Sequence, residues 1–307
     1  MIGFALLSDA PLRARHRYRN DENLLRNMMR PTVFPVRGNH SVKNVVFVCE
    51  LASNLTSGDL ENILAQYQAD NDLKSLLPVK VEQRGAISIT FQAGVVGQHS
   101  PVQQQSNDLV GLAFNRMAPD GGLDWGLNIQ PNAVLVSCHH YDRWARAAET
   151  AIPLLQRILG LAPHVGVATV ALQYTDEWTI AAAETVPIGS LLFRPNNGYI
   201  AERLMAQVGA WHCHTGWFEP SGEALPRSLV NVNANVNAQP VTNQSTVMLN
   251  HAQRAFQAEP IFVQVDETAA RAKLEAQFLA MHMKNKQLLK DVLVEAVQEQ
   301  IKLFATS

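Results

Sequence analysis

The sequence predicts an α+β protein built as two halves, each a mostly antiparallel sheet with helices packed on one face. Three observations lead to this prediction. Many short runs are rich in β-branched residues, as strands are. Turn-forming residues, such as those at 119–122, separate neighbouring runs so closely that consecutive strands must pair in opposite directions. The region over 266–303 instead repeats apolar residues at helical spacing.

Composition limits the domain organisation and the class of protein. The chain has 307 residues, and 47% of them are hydrophobic, a share typical of a folded globular protein. We expect a basic leader over 1–40, an α+β domain over 41–180 and a β-meander with a long helix over 181–307. The net charge of −2 argues against bulk nucleic-acid binding. Because no run has the length and apolarity of a membrane span and the three cysteines show no paired spacing, we expect a cytoplasmic protein.

The first half predicts strands that alternate with two helices. A helix begins at Thr56 or Ser57, and a second covers 141–160, with a kink at Pro153 and a stop at Gly160. Strands are expected over 42–51, 78–83, 86–92, 109–117, 123–130, 133–140 and 165–175. Asp176 and Glu177 follow the last of these strands, and we expect them to be solvated turn acids.

The second half predicts three strands and one long helix. The strands cover 211–218, 228–238 and 245–256. The helix begins at Asp266 as its N-cap and extends to Leu303. At 1.5 Å per residue it would be about 55 Å long, which exceeds what a half-domain covers. It therefore either breaks near Asn285 or packs in part on a second subunit.

The pattern of the first two of these strands predicts a register. Alternate side chains point to opposite faces, so the tryptophan strand places His212 and His214 on the face opposite its tryptophans. The next strand alternates apolar residues with asparagines. Pairing the two as a hairpin gives an apolar face, covered by the C-terminal helix, and a polar face of histidine and asparagine. The asparagines of that face are Asn231, Asn233, Asn235 and Asn237.

Two histidines on one strand face are spaced as in zinc or iron sites, which raises the alternative of a metal-dependent hydrolase. A third ligand would have to come from His251, Glu219 or the His139–His140 pair. Asparagine is a poor metal ligand, and the sequence HExxH does not occur. We therefore favour a structural or interaction role for His212 and His214.

The leader is the most basic part of the chain. Seven arginines against three acids give residues 1–40 a charge of +4. An arm of this kind can contact phosphates, so nucleic-acid association is a second alternative. The arginines of this arm are Arg13, Arg15, Arg17 and Arg19.

One pattern resembles a sporadically distributed bacterial family of uncharacterised proteins. It consists of a strand end followed by Tyr141 and Trp144 at the start of a helix, then a strand with Leu172, Gln173 and Tyr174, and a histidine in the last helix, His282. Glu50, at the end of a Val-rich run, fits the same family, whereas Gln173 stands where that family has arginine. The resemblance implies no known activity. The patchy distribution of the family suggests a phage-defence or mobile-element module.

The sequence contains no complete catalytic motif, so we expect a non-catalytic binding or regulatory subunit without a cofactor. Such a subunit would act through a protein partner or through self-association by the C-terminal helix, where Phe278 and His282 would contribute. The asparagine face would be the other interaction surface.

Overall fold

The structure confirms the α+β class and joins its strands in one antiparallel sheet. The computed structural model describes residues 31–85, 108–182, 185–239, 244–263 and 267–304. The ten strands of these stretches follow the order β3-β4-β5-β6-β2-β7-β10-β9-β8, with β1 paired to the end of β7. The strands are β1 Thr32–Pro35, β2 Val42–Leu51, β3 Val79–Arg84, β4 Leu109–Met117, β5 Leu123–Gln130, β6 Ala133–Cys138, β7 Val167–Ala181, β8 Trp211–Glu219, β9 Ser228–Gln239 and β10 Gln244–Ile261.

The helices pack on one face of this sheet, as their apolar stripes require. Thr56 caps the first helix, and Gly160 ends the long helix of the first half, as the sequence predicts. The predicted strand over 86–92 and the Gln-rich loop that follows it lie outside the described residues. The helices are α1 Ser57–Ala69, α2 Asn71–Leu76, α3 Trp144–Gly160, α4 Gly189–Leu192, α5 Glu202–Met205, α6 Glu267–Val292 and α7 Glu295–Gln300. None of these helices is both long and apolar enough to cross a membrane.

Two hydrophobic clusters lie side by side on the helix-bearing face. The first contains Phe47 of β2 and Leu172 of β7, and the second contains Trp178, farther along β7. A single strand therefore contributes to both clusters, and the two halves of the chain share one continuous sheet.

Helix α6 also spans both clusters. Its 26 residues measure about 39 Å, so Phe278 packs in the first cluster while Leu288 packs in the second. Of the two alternatives for its length, a break near Asn285 is wrong, because α6 continues to Val292. The predicted extension to Leu303 as one helix is also wrong, since Leu293 forms a bridge with Phe193 and a separate short helix, α7, follows. The predicted N-cap, Asp266, lies outside the described residues.

Candidate functional site

A cleft of about 650 Å³ lies where α6 crosses the centre of the sheet. Four parts of the chain line it: residues 39–42 before and at the start of β2, residues 141–145 at the start of α3, the middle of β7, and α6 with residues 301–303. Its volume falls within the range of small-molecule sites. The cleft therefore brings together side chains from both halves of the chain.

Asp176 of β7 is the buried acid of this cleft, whereas Asp142 at its edge is exposed. Its side chain is 0% exposed, and the Ser41 hydroxyl donates a hydrogen bond of 2.6 Å to its Oδ1. Its Oδ2 is buried and has no hydrogen-bond partner among the described residues. Burial raises the pKa of Asp176 to about 6, although the bond from Ser41 acts in the opposite direction. Oδ2 of Asp176 is therefore a buried acceptor that lacks a donor among the described residues.

The expectation that Asp176 is a solvated turn acid is wrong. Strand β7 does not stop at Thr175 but continues to Ala181, because β10 and β1 both pair with its last residues. Asp176 therefore points toward the helices, on the same face as Tyr174. Glu177 points to the other face and binds Lys43.

A row of four rings forms the wall next to Asp176. The Tyr141 ring lies edge-on to the Tyr174 ring with 6.1 Å between ring centres, and the Tyr174 hydroxyl lies 2.9 Å from Nδ1 of His282. The His282 ring stacks on Trp144 with 4.4 Å between ring centres. Burial, together with the charge of nearby Lys286, lowers the pKa of His282 to about 4. Burial likewise raises the pKa of both tyrosines.

His251 lies behind this row on β10. It pairs with Tyr174 across the strands and is 3% exposed. Its Nδ1 lies 2.9 Å from Oδ1 of Asn285. Burial lowers the pKa of His251 to about 4, even though the bond to Asn285 opposes that shift. Both histidines are therefore neutral at physiological pH and act as hydrogen-bonding groups.

The rim of the cleft carries apolar and cationic side chains. Leu279 and Met283 are 48% and 56% exposed, one helical turn apart on α6. Two lysines, Lys286 and Lys302, line the same rim. The cleft thus has an acid at its base, aromatic walls and a basic rim.

The structure places the predicted metal ligands on different faces of the sheet. His212 and His214 lie opposite Asn235 and Asn233 on the exposed face, in the predicted register. His251 lies opposite Val232, on the buried face. The three imidazoles therefore do not converge, and no group of three or more metal-ligating side chains occurs in the stretches that the structure describes.

The other proposed third ligands are also engaged elsewhere. Glu219 binds Lys284 and accepts a bond from Gln253. His140 lies 3.4 Å from the carboxylate of Asp124 in the first half of the sheet. Neither residue completes a site with His212 and His214.

The predicted polar face exists, and we call it the His–Asn face. Nδ1 of His212 lies 3.2 Å from Oδ1 of Asn235, and Nε2 of His214 lies 3.4 Å from Oδ1 of Asn231. These histidines are exposed, in contrast to those behind the cleft. The members of this face are His212, His214, Asn231, Asn233, Asn235 and Asn237.

The remaining predicted site residues are Phe278, His282 and the arginines of the basic arm. Phe278 is fully buried against Phe47 and offers no surface for another subunit. His282 contributes to the cleft instead. The four arginines of the basic arm, Arg13, Arg15, Arg17 and Arg19, lie outside the described residues.

Sequence reasoning missed Asp176 and Ser41 as site residues, although one signal was present. Tyr141, Trp144, Tyr174 and His282 carry the family resemblance, and the structure brings all four into the same cleft. Asp176 lies two residues after Tyr174, so strand alternation would place it there once the strand is known to continue. Comparison with models of protein families and with curated protein sequences gives no match for this chain.

Proposed function

We propose that the protein is a non-catalytic binding or regulatory protein whose cleft holds a cationic or strongly hydrogen-bond-donating group against Asp176. The unpartnered, fully buried Oδ2 of Asp176 carries this proposal. A buried carboxylate oxygen without a donor is unfavourable by about 1–3 kcal/mol or more, so native structures retain one where something satisfies it. An ammonium group supplies both the donor and the opposite charge.

A second buried atom supports the same kind of ligand. His40 precedes Ser41 and lines the cleft, and its Nδ1 is also without a hydrogen-bond partner in the described ranges. Burial lowers the pKa of His40, so its neutral ring can accept a hydrogen bond. An ammonium group has three donors and can serve both atoms.

The surrounding groups favour binding over catalysis. The tyrosines hold their protons more tightly than usual, and His251 and His282 stay neutral at pH 7 because burial lowers the pKa of both rings. A general base or nucleophile needs the opposite adjustment, toward the operating pH. The row of rings therefore orients a guest rather than exchanging protons with it.

A simple aromatic amine tests the proposal. We expect phenethylamine to bind the full-length protein, observed by ligand-detected NMR. Asp176→Asn keeps the side-chain shape but removes the charge, and should weaken binding at least about tenfold. Asp142→Asn is the matched control, because Asp142 lines the same cleft but is exposed and already paired with Arg143 and Arg146.

Three results decide the matter. Binding that depends on Asp176 and survives Asp142→Asn supports the proposal. Phenethylamine that does not bind, or that binds Asp176→Asn equally well, rejects it. If Asp176→Asn binds phenethylamine equally well, the partner of Asp176 is an ordered water molecule.

The wider expectations stay predictions. These are a protein partner, self-association through α6, a cytoplasmic location and a role in a phage-defence or mobile-element module. The alternatives of a zinc or iron site at His212 and His214, and of nucleic-acid contact through the basic arm, are equally open to test by metal analysis and by salt-dependent binding.

A further inference from the structure

We infer that the ligand of the cleft is a zwitterion of the amino-acid class, whose ammonium group lies at Asp176 and whose carboxylate lies between Lys286 and Lys302. This inference rests on the proposed function and adds the second charge. It depends on the rim of the cleft, whereas the proposed function depends on its base.

Two lysines of the rim have no acidic partner. Neither Lys286 nor Lys302 forms an ion pair with any acid of the described chain, although both line the cleft. Arg143 also lines it, but Asp142 lies 3.6 Å away and balances its charge. The net charge at the rim is therefore positive, opposite to that of Asp176 at the base.

The backbone at Lys302 gives an independent reason to assign it a role. The Leu303 N–H donates to the Gln298 carbonyl and the Lys302 N–H to the Glu299 carbonyl, each at 3.1 Å. This pair of bonds ends a helix with a residue in the left-handed region, usually glycine. Lys302 has a φ of 51° there. A lysine in this conformation costs the fold some stability, as strained residues at binding sites do.

The size and walls of the cleft fit such a ligand. About 650 Å³ is ample for one amino acid or a short peptide. Trp144, Leu279 and Met283 provide apolar contact between the two charged ends. A purely cationic ligand would leave the lysines without a partner, and a purely anionic one would leave Asp176 without a donor.

Three probes with the same phenyl group separate the two charges. Phenethylamine carries only the ammonium, hydrocinnamate carries only the carboxylate, and phenylalanine carries both. We expect phenylalanine to bind the full-length protein about tenfold more tightly than phenethylamine, with hydrocinnamate the weakest of the three. Isothermal titration calorimetry measures all three dissociation constants under one condition.

Variants of the rim test the carboxylate position. Lys286→Met and Lys302→Gly should each reduce the advantage of phenylalanine over phenethylamine, and together they should abolish it. Glycine suits the backbone at 302, so that variant keeps its fold. Lys290→Met is the matched control, because Lys290 lies against the same Phe304 ring as Lys286 but does not line the cleft.

The outcomes distinguish this inference from the proposed function. If phenethylamine binds through Asp176 but phenylalanine binds no more tightly, the inference fails and the proposed function stands. If no probe binds, both fail. If hydrocinnamate binds as tightly as phenylalanine and ignores Asp176→Asn, the cleft is an anion site and the ammonium assignment is wrong. An advantage that survives in the double variant also overturns the inference.

Discussion

Histidine and amide side chains meet in two places on this sheet, in the cleft over β7 and on the His–Asn face of β8 and β9. Behind the wall of the cleft, His251 is buried with Asn285, and in the cleft the carboxylate of Asp176 lacks a donor on one oxygen. On the His–Asn face, His212 and His214 are exposed and lie beside asparagine amides. Residue type alone therefore does not mark a site. A polar group that is buried away from water needs a hydrogen-bond partner. Of these two places, only the cleft contains such buried groups.

The charge of Asp176 gives the largest expected effect. Its pKa is about 6 in the folded protein, against 3.8 for an ordinary aspartate. Burial of the charged form therefore destabilises the fold as the pH rises from about 4 to about 6, by about 3 kcal/mol in total. Asp176→Asn should match the wild type near pH 4 and exceed it in free energy of unfolding above pH 6. Urea denaturation across this range measures the difference, and a constant difference would contradict a buried charge.

Burial of His251, behind the cleft, makes the free energy of unfolding depend on pH in the opposite direction. Because the pKa of His251 is lowered to about 4 in the folded protein, only the unfolded chain takes up its proton between pH 6.5 and 4. Stability is therefore lost as the pH falls through that range, and His251→Gln should flatten the loss. Urea denaturation across this range measures the change, and an undiminished loss of stability in His251→Gln would contradict a buried, neutral His251.

Removal of the one donor to Asp176 should have the next largest effect. Ser41 is 2% exposed, and its hydroxyl donates the hydrogen bond to Oδ1 of Asp176. Ser41→Ala should lower the free energy of unfolding by about 1–3 kcal/mol at neutral pH and less at pH 4, where Asp176 is neutral. Ser190→Ala is the control, since Ser190 bonds only to a carbonyl of its own exposed turn. The same loss at both pH values would mean that Ser41 contributes packing alone.

Lys302→Gly should stabilise the protein while it weakens binding of a zwitterion. Relief of the left-handed backbone is worth about 1 kcal/mol, seen as a rise in Tm. A variant that gains stability and keeps full affinity for phenylalanine would show that Lys302 has no part in the site.

The smallest expected effect belongs to the His–Asn face. The double variant His212→Ala/His214→Ala should change the free energy of unfolding by less than about 0.5 kcal/mol, because both side chains are exposed. Mass spectrometry of the tag-free protein, with and without this double change, measures whether zinc or iron depends on the two residues. A larger loss would mean that the two exposed histidines contribute to stability, as the buried groups of the cleft do.

Local patterns were sufficient for much of the fold. The faces that β8 and β9 share followed from alternation alone, because one buried face places His214 on the same side as the asparagines. Gly160 and Thr56 ended and began their helices as their chemistry requires. These features depend on residues close together in sequence.

The cleft could not be predicted in this way, because it depends on long-range pairing. Asp176 is buried only since β10 and β1 extend β7 beyond it, and no residue near 176 indicates those partners. The end of α6 at Val292 likewise depends on the distant segment at 193, which binds Leu293. His251 was grouped with His212 by residue type, and only the pairing of β10 with β9 separates their faces.

The central position of β7 has a consequence for how the molecule folds. The strand pairs on one side with β2 and on the other with β10, so its neighbours come from far before and after it in sequence. Such a high contact order favours slow folding. Since the cleft takes its walls from residues as distant as 39 and 303, it forms only once these pairings are complete. A ligand of the cleft would therefore bind the native state and none of the folding intermediates. Its binding would show that folding is complete.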